Sequence, residues 1–359
     1  QRILRSGALE EVTWPTDTAC RAFFVQKPGT SKENPSVRLV NNMKPINGFI
    51  KSPGYPMDTS AKINNRLDPG DTAFGVIDLV SAFHQIPVAE ESRDLLTIIL
   101  PAGKFRFTVL PQGLVCSTDY LNLNTDPSIR GEPGYFKNVD DILTSAKNIQ
   151  ELEVRMKKLL EICRSLNMKI APSKLQLGPS VVFGGVLIEA ATQVGDSKKT
   201  VFMSPTQKKL DAFLDFPTPS CKTDVQSIMG AVAQLKRWCP GIMLMSRGMQ
   251  QLTGSVPFHW NADLQGELDA MKAALKQHIK LSPLDTSKDL LIWSDAASSE
   301  GMCYVLAQWR DVEDPKKGLN IISCDSTTFK KGKRSLNPFE AELQGVHLSL
   351  IHISEPTRL

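Results

Sequence analysis

Acidic residues that close apolar runs are the feature that most limits how this chain can fold. Phe74-Gly75-Val76-Ile77 runs straight into Asp78, and Asp140-Asp141 is set between Val139 and Ile142-Leu143. A carboxylate at the end of a buried strand has to be paired, hydrated at the strand mouth or bound to a cation, because an isolated buried charge is strongly unfavourable. Three acids converging from two neighbouring strand ends can hold Mg²⁺, which takes carboxylate and water ligands and leaves positions open for phosphate oxygens. Each residue also has an ordinary role open to it. Asp-Asp at a turn suits the tolerance of Asp for turn geometry, and an Asp after a strand can cap the next helix.

The patterning around these acids sorts the chain into blocks. Residues 1–36 read as polar and irregular, punctuated by Pro15, Pro28, Gly29 and Pro35, with short apolar pieces such as Phe23-Phe24-Val25. Leu95 to Leu100 and Phe105 to Val109 flank Pro101-Ala102-Gly103-Lys104, which predicts a hairpin. Tyr135 to Ala146 reads as a second hairpin with Asp140-Asp141 at its tip. Helical spacing then places Leu152, Met156, Leu159, Leu160, Cys163 and Leu166 on one face. Val225, Ile228, Met229, Val232 and Leu235 repeat it, with Thr223 as N-cap and Pro240-Gly241 as stop. Leu264, Leu268, Met271 and Leu275 predict a further helix, and strand-like alternation resumes at Leu290 and runs through Met302, Tyr304 and Leu306. Pro205, Pro217 and Pro219 mark a domain boundary near 200–220.

Composition excludes several classes. A chain of 359 residues is long enough for two or three domains, and 41% apolar with 22% charged residues is an ordinary globular balance. No run reaches the roughly 18 apolar residues of a membrane helix, so no membrane association is expected. Lys plus Arg exceed Asp plus Glu by 42 to 38, a net +4 that is compatible with nucleic acid without being diagnostic. The seven Cys contain no C-x-x-C pair, which argues against a zinc site or a disulfide framework and suits a reducing compartment. The start at Gln1-Arg2-Ile3 has no signal-peptide layout and reads as a fragment of something longer.

In combination the motifs resemble the reverse transcriptases of gypsy-like LTR retrotransposons and, more distantly, of retroviruses. The likeness runs in order over about residues 20 to 347. Asp78 stands in Asp78-Leu79-Val80-Ser81-Ala82-Phe83-His84-Gln85-Ile86, similar to the family's DLxSAYHQI; Asn138-Val139-Asp140-Asp141 resembles its aromatic-x-Asp-Asp hairpin. Pro111-Gln112-Gly113 resembles its PQG segment, and Ala171-Pro172-Ser173-Lys174 with Phe183-Gly184-Gly185 resembles the stretch that grips the primer. Phe216-Pro217-Thr218-Pro219 through Lys236-Arg237-Trp238-Cys239-Pro240 resembles the helical segment beyond it. The fold this implies is α+β, a right-hand polymerase of fingers, palm and thumb followed by a partial ribonuclease-H-like α/β domain.

What the resemblance implies for function is RNA-directed and DNA-directed DNA synthesis within a Pol polyprotein. Asp78, Asp140 and Asp141 would hold two Mg²⁺, with Mn²⁺ as a substitute, one ion activating the primer 3′-hydroxyl and the other neutralising the triphosphate of a dNTP. Arg38, in Val37-Arg38-Leu39-Val40-Asn41-Asn42-Met43-Lys44-Pro45-Ile46-Asn47, would bind the triphosphate, a surface salt bridge being its alternative. Phe83 would press on the sugar 2′ position, core packing being its alternative; Gln112 and Gly113 would line the nucleotide pocket. Partners would be an RNA or DNA template with its primer, and the protease and integrase segments of the parent polyprotein. The expected location is cytoplasmic, in a virus-like particle, with nuclear access.

Departures from the pattern weigh on activity. Asn138 replaces an aromatic residue that packs near the primer end, so activity is expected to be reduced rather than absent, and Asn42 and Lys44 replace an Asp and an Arg. Leu290-Leu291-Ile292-Trp293-Ser294-Asp295-Ala296 and Asn337-Pro338-Phe339-Glu340-Ala341-Glu342-Leu343 resemble the first strand and first helix of a ribonuclease H domain, which makes Asp295 and Glu342 two of four metal-binding acids. A half-built site should not cleave RNA, and its truncated sheet is expected to be unstable. Lys330-Lys331-Gly332-Lys333-Arg334 is either a contact to duplex phosphates or a solvated loop. Residues 348–359 resemble a translated sequencing adapter. The linear plan is a flank at 1–19, fingers and palm at 20–190, a thumb-like region at 195–255, a connection at 256–288 and the truncated domain at 289–347. The rival reading is an inactive or truncated element copy that binds template–primer without catalysis. A host-recruited nucleic-acid-binding protein and an RNA-dependent RNA polymerase are further alternatives.

Overall fold

Strand pairing and helix packing in the computed structural model gather the chain into two compact units interleaved along the sequence, 1–57 with 77–143 and 154–175, and 58–76 with 144–153 and 176–359. The structure describes residues 6–26, 37–58, 62–63, 66–193, 196, 198–297, 301–328, 339–340, 342–344 and 346–347. The basic run 330–334 and residues 348–359 lie outside them.

The first half of the chain supplies strands β1 (Leu9–Glu11), β2 (Cys20–Gln26), β3 (Val37–Asn41), β4 (Ala73–Asp78), β5 (Thr97–Leu100) and β6 (Gly103–Phe107), then helix α1 (Ser117–Ile129), strands β7 (Tyr135–Asn138) and β8 (Asp141–Ala146), and helix α2 (Ile149–Ser165). In the first unit, five strands form a sheet in the order β1-β6-β5-β2-β3. The hairpin expected around Pro101 is β5 and β6, paired from Thr97↔Arg106 to Leu100↔Gly103. Residues 9–11 and 20–26, read from sequence as irregular, are strands. The alternation there is weak because Phe23, Phe24 and Val25 are all exposed. The inward face packs Leu9, Cys20, Leu39, Ile98, Phe105 and Phe107 into one core with Met43, Leu110 and Leu114.

A buried cation fastens this sheet. Arg106, 9% exposed, bonds Glu10 Oε1 at 2.5 Å and Asp94 Oδ1 at 2.8 Å, reaches Glu90, and lies 4.9 Å from the centre of the Trp14 ring. The guanidinium's fork of donors meets three carboxylates at once, which offsets the cost of taking its charge out of water.

A second sheet has the order β7-β8-β4-β9, where β9 is Gln176–Gly178; β4 and β8 each belong in part to both units. The hairpin tip expected at Asp140-Asp141 falls one residue earlier, since Asp141 is already the first residue of β8. In α2, Leu152, Met156, Leu159 and Cys163 are buried as expected, whereas Leu160 is 40% exposed.

The second unit continues with an antiparallel sheet of β10 (Ser180–Phe183), β11 (Val186–Thr192) and β12 (Lys199–Pro205). Helices α3 (Gln207–Leu214), α4 (Lys222–Leu235) and α5 (Ala262–Lys276) follow. Pro205, Pro217 and Pro219 therefore lie inside this unit. Helix α4 starts from Cys221, not Thr223, because Cys221 and Asp224 close a reciprocal cap. Val225, Ile228, Val232 and Leu235 of α4 and Leu264, Leu268, Met271 and Leu275 of α5 are buried as the periodicity predicts. The last sheet is β13 (Leu291–Ala297), β14 (Gly301–Trp309) and β15 (Leu319–Thr328), all antiparallel. All seven cysteines are free thiols, and no helix among the described residues is long and apolar enough to cross a membrane.

Phe107 is fully buried while Phe24 is 52% exposed. Phe107→Ala should destabilise the protein by about 3–5 kcal/mol and Phe24→Ala by less than about 0.5 kcal/mol, read as shifts of the urea midpoint.

Candidate active site

The chain brings Asp78 to a fixed place because β4 leaves it no freedom. Ala73 to Ile77 are all buried, and Asp78 is the first residue of the strand to reach partial exposure. Past that point three backbone bonds hold the chain: Ala171 N to Asp78 O at 2.8 Å, Leu79 N to Asp140 O at 2.9 Å and Val80 N to Lys169 O at 2.9 Å. The Gln85 side chain closes the same corner, donating to Val80 O at 2.6 Å and accepting from Lys169 N at 2.6 Å.

Asp140 and Asp141 come from the β7–β8 hairpin. Its tip places Val139 at φ +58°, a left-handed conformation that a β-branched residue enters only under constraint from its surroundings. Asp140 is exposed and Asp141 half-buried. Burial, then the neighbouring charges of Asp140 and Asp78, push the Asp141 carboxyl up to about 6, and a hydrogen bond with Asp78 favours its protonated form. The three sequence-predicted acids therefore converge electrostatically.

A lysine stands among them. Lys174 Nζ is 2.7 Å from Asp78 Oδ2, and this bond raises the ammonium's proton affinity. The sequence placed Lys174 only in the stretch resembling the primer grip. Its side chain is 63% exposed, so the pair is a solvated one on a flexible stem. Among the described residues no three Asp, Glu, His or Cys side chains are gathered closely enough to hold an ion. The donor set nevertheless fits a hard divalent cation: the ligands are carboxylate oxygens, and Asp141, raised first by burial, is raised further by the neighbouring charges of Asp140 and Asp78.

The remaining predicted residues are distributed as follows. Arg38 is exposed on β3, and Phe83 is half-buried against the core that contains Phe107, in the turn Ala82–Gln85. Gln112 and Gly113 are exposed on a loop held from below by two asparagines. Asn47 donates to Gly113 O and accepts from Val115 N, both at 3.0 Å, and Asn41 donates to Gln112 O at 3.4 Å. Gly113 has φ +92°, and a Cβ there would sit 3.5 Å from Asn41 O, so glycine suits the turn. Asn41 and Asn47 went unnoticed in the sequence because a side chain's bonds to a distant backbone leave no spacing pattern.

Phe183-Gly184-Gly185 closes the β10–β11 hairpin within the second unit. Phe183 is buried and pairs with Val186, and Gly184 and Gly185 both take positive φ, as a two-residue turn of this twist requires. Asp295 is exposed on β13 opposite Cys303, and Glu342 is exposed.

Residues 27–188 match the family model described as reverse transcriptase (RNA-dependent DNA polymerase). The chain is 25% identical over 332 residues to the retrovirus-related Pol polyprotein from transposon 412 of Drosophila melanogaster, covering 91% of this chain and 25% of the relative. It is 27% identical over 312 residues to the transposon Tf2-3 polyprotein of Schizosaccharomyces pombe, covering 86% of this chain and 22% of the relative. The chain thus spans about a quarter of the length of these curated relatives. Among solved structures, the foamy viral protease-reverse transcriptase in complex with an RNA/DNA hybrid matches with a TM-score of 0.81 at 20% identity, covering 97% of this chain and 44% of that one. A further structure of that protein, dRH with double-stranded DNA, gives a TM-score of 0.80 at 20% identity, covering 98% and 58%. The expected mixed α and β polymerase fold is borne out.

The elevated Asp141 generates a stability test. Its folded form holds a proton more tightly than its unfolded form, so this group opposes folding increasingly as pH rises from about 4 to about 6. In thermal melts without divalent ions, Asp141→Asn should raise the unfolding midpoint at pH 7, and the gain should shrink toward pH 4. A destabilised variant at pH 7 would contradict the charge crowding.

Proposed function

We propose that this chain, whose residues 27–188 carry a reverse transcriptase domain, is an RNA-directed DNA polymerase that also copies DNA and works as one segment of a gypsy-like LTR-retrotransposon Pol polyprotein. The observation that carries the reading is the convergence of Asp78, Asp140 and Asp141 inside that domain, with Asp141 raised by burial and then by the charges of the other two. Its substrates are a primed RNA or DNA template and dNTPs, its metal is Mg²⁺ at two positions with Mn²⁺ as substitute, and its partners are the protease and integrase segments of the parent. It acts in the cytoplasm within a virus-like particle, with access to the nucleus.

The chemistry is in-line attack of the primer 3′-hydroxyl on the α-phosphorus of a dNTP, which forms a phosphodiester and releases pyrophosphate. Mg²⁺ held by the three carboxylates supplies the positive charge that such a transfer needs. The chain's own residues do the positioning. Leu79 N on Asp140 O fixes the two strand ends to each other, and Lys174 neutralises Asp78 until a cation takes that role. The exposed Arg38 offers a planar fork to the triphosphate. Gln112 and Gly113, on a loop set by Asn47, receive the nucleotide, and Phe83 excludes a 2′-hydroxyl by its bulk.

The second reading, an inactive copy, is favoured by one observation: Asn138, half-buried at the end of β7, offers no ring at the catalytic hairpin. Mg²⁺-dependent primer extension by the full chain separates the two. Extension that Asp140→Asn reduces by about 100-fold or more supports the polymerase; a folded parent that binds template–primer and never extends it supports the inactive copy. On an active parent, Asn138→Tyr should raise the extension rate, and Phe83→Val should increase ribonucleotide incorporation relative to deoxyribonucleotide.

A further inference from the structure

Helix α1 turns a polar side inward. Its buried residues are Ser117, Leu121, Asn122, Thr125, Asp126 and Ile129, and among its exposed residues are Tyr120 and Leu123. An amphipathic helix ordinarily does the reverse. The residue that explains the inversion is Lys137, on β7. Its side chain is only 6% exposed, its Nζ lies 2.6 Å from Asn122 Oδ1 and 3.0 Å from Asp126 Oδ1, and the Asp126 side chain is itself 8% exposed. Arg130 Nε, one turn on, lies 3.8 Å from Asp126 Oδ2, and the guanidinium carbon of Arg130 lies 5.8 Å from the centre of the Tyr55 ring. A lysine this deep is tolerable only because a carboxylate and an amide oxygen receive it.

The placement along the chain gives this lock a consequence. Lys137 is followed by Asn138, by Val139 at φ +58°, and then by Asp140. A left-handed valine persists only where the surrounding structure over-determines it. On the far side the pin is Leu79 N on Asp140 O at 2.9 Å; on the near side it is the Lys137 ammonium in α1. Successive strand residues point to opposite faces, so Lys137 can anchor the strand without touching the reacting groups.

We infer that Lys137, held by Asn122 and Asp126, is a positioning residue that fixes the strained catalytic turn and thereby the Asp140 carboxylate. The inference rests on the proposed polymerase reading, and it concerns how the carboxylates are aimed rather than what they bind. Groups that orient metal-binding side chains from behind typically change metal affinity or activity by about 10–100-fold when removed.

The test uses the full chain and a pair of variants. Lys137→Met alone leaves Asp126 buried without its partner and threatens folding. Lys137→Met with Asp126→Leu replaces the pair by apolar residues of similar size, which proteins often tolerate. Mn²⁺ affinity with template–primer bound is measured by electron paramagnetic resonance, beside primer-extension kcat, template–primer Kd and the thermal midpoint. The expected result for the double variant is a midpoint and a template–primer Kd near those of the parent, with Mn²⁺ affinity and kcat each lower by about 10-fold, and with Lys137→Arg recovering most of both. A folded double variant whose Mn²⁺ affinity lies within twofold of the parent overturns the inference. If the parent extends no primer, the polymerase reading fails, and the Mn²⁺ affinity alone still decides the role of Lys137.

Discussion

Repulsion among Asp78, Asp140 and Asp141 is what the surrounding structure is built to withstand. Two like charges about 4 Å apart near a protein surface repel by about 4 kcal/mol, and three carboxylates left to themselves would splay the strand ends that carry them. The backbone prevents it. The Leu79–Asp140 bond joins the two strand ends, Ala171 N holds the carbonyl of Asp78, and Gln85 bonds both sides of the corner. None of these contacts neutralises charge. Lys174 does so for Asp78, while burial and then the charges of Asp140 and Asp78 lift Asp141 to about 6. Rigid geometry with residual negative charge is the state a divalent cation exploits, because binding then needs little reorganisation.

Elsewhere in the first unit buried charge has the opposite sign and a different purpose. Arg106 and Lys137 are both enclosed, and each is met by side-chain oxygens. Arg106 gathers Glu10 from one segment and Glu90 and Asp94 from another, so it ties β1 and the 90–94 turn to β6. Such networks are poor sources of stability compared with apolar packing, yet they penalise wrong arrangements severely, since any misplacement strands a charge. The apolar core around Phe107 supplies the stability.

The readable part of this fold was the part where function or burial repeats along the chain. Asp78 could be found because five buried residues precede it, and α4 and α5 because their apolar residues recur at helical spacing. Phe183-Gly184-Gly185 stood out only by resemblance, and the fold shows it to be a hairpin turn. By contrast, β2 was hidden because Phe23, Phe24 and Val25 point to solvent, and the start of α4 was displaced because a cysteine does the capping. Lys174, Asn47 and Lys137 act through partners 96, 66 and 15 positions away. A lysine in a strand and an asparagine at the end of a one-turn helix look like surface residues until the fold supplies those partners.

The same logic bears on the C-terminal sheet, which the sequence reading expected to be unstable. Tyr304, Leu306 and Ile322 form a buried cluster against Leu284 and Leu290, so the inner face of β14 and β15 is covered by the chain's own preceding segment. Lys236 pairs with Asp325 at 2.8 Å and Cys324 donates to Arg237 O at 3.0 Å, which fastens β15 to the end of the α4 segment. Strand alternation then puts Trp293 and Asp295 together on the opposite side, where both are exposed. Across the sheet that side runs through Val305 and Cys303 to Cys324 and Ser326, which are buried, so it is open at β13 and closed at β15. Asp295 therefore sits on the open edge strand of a sheet whose other edge the helical block holds.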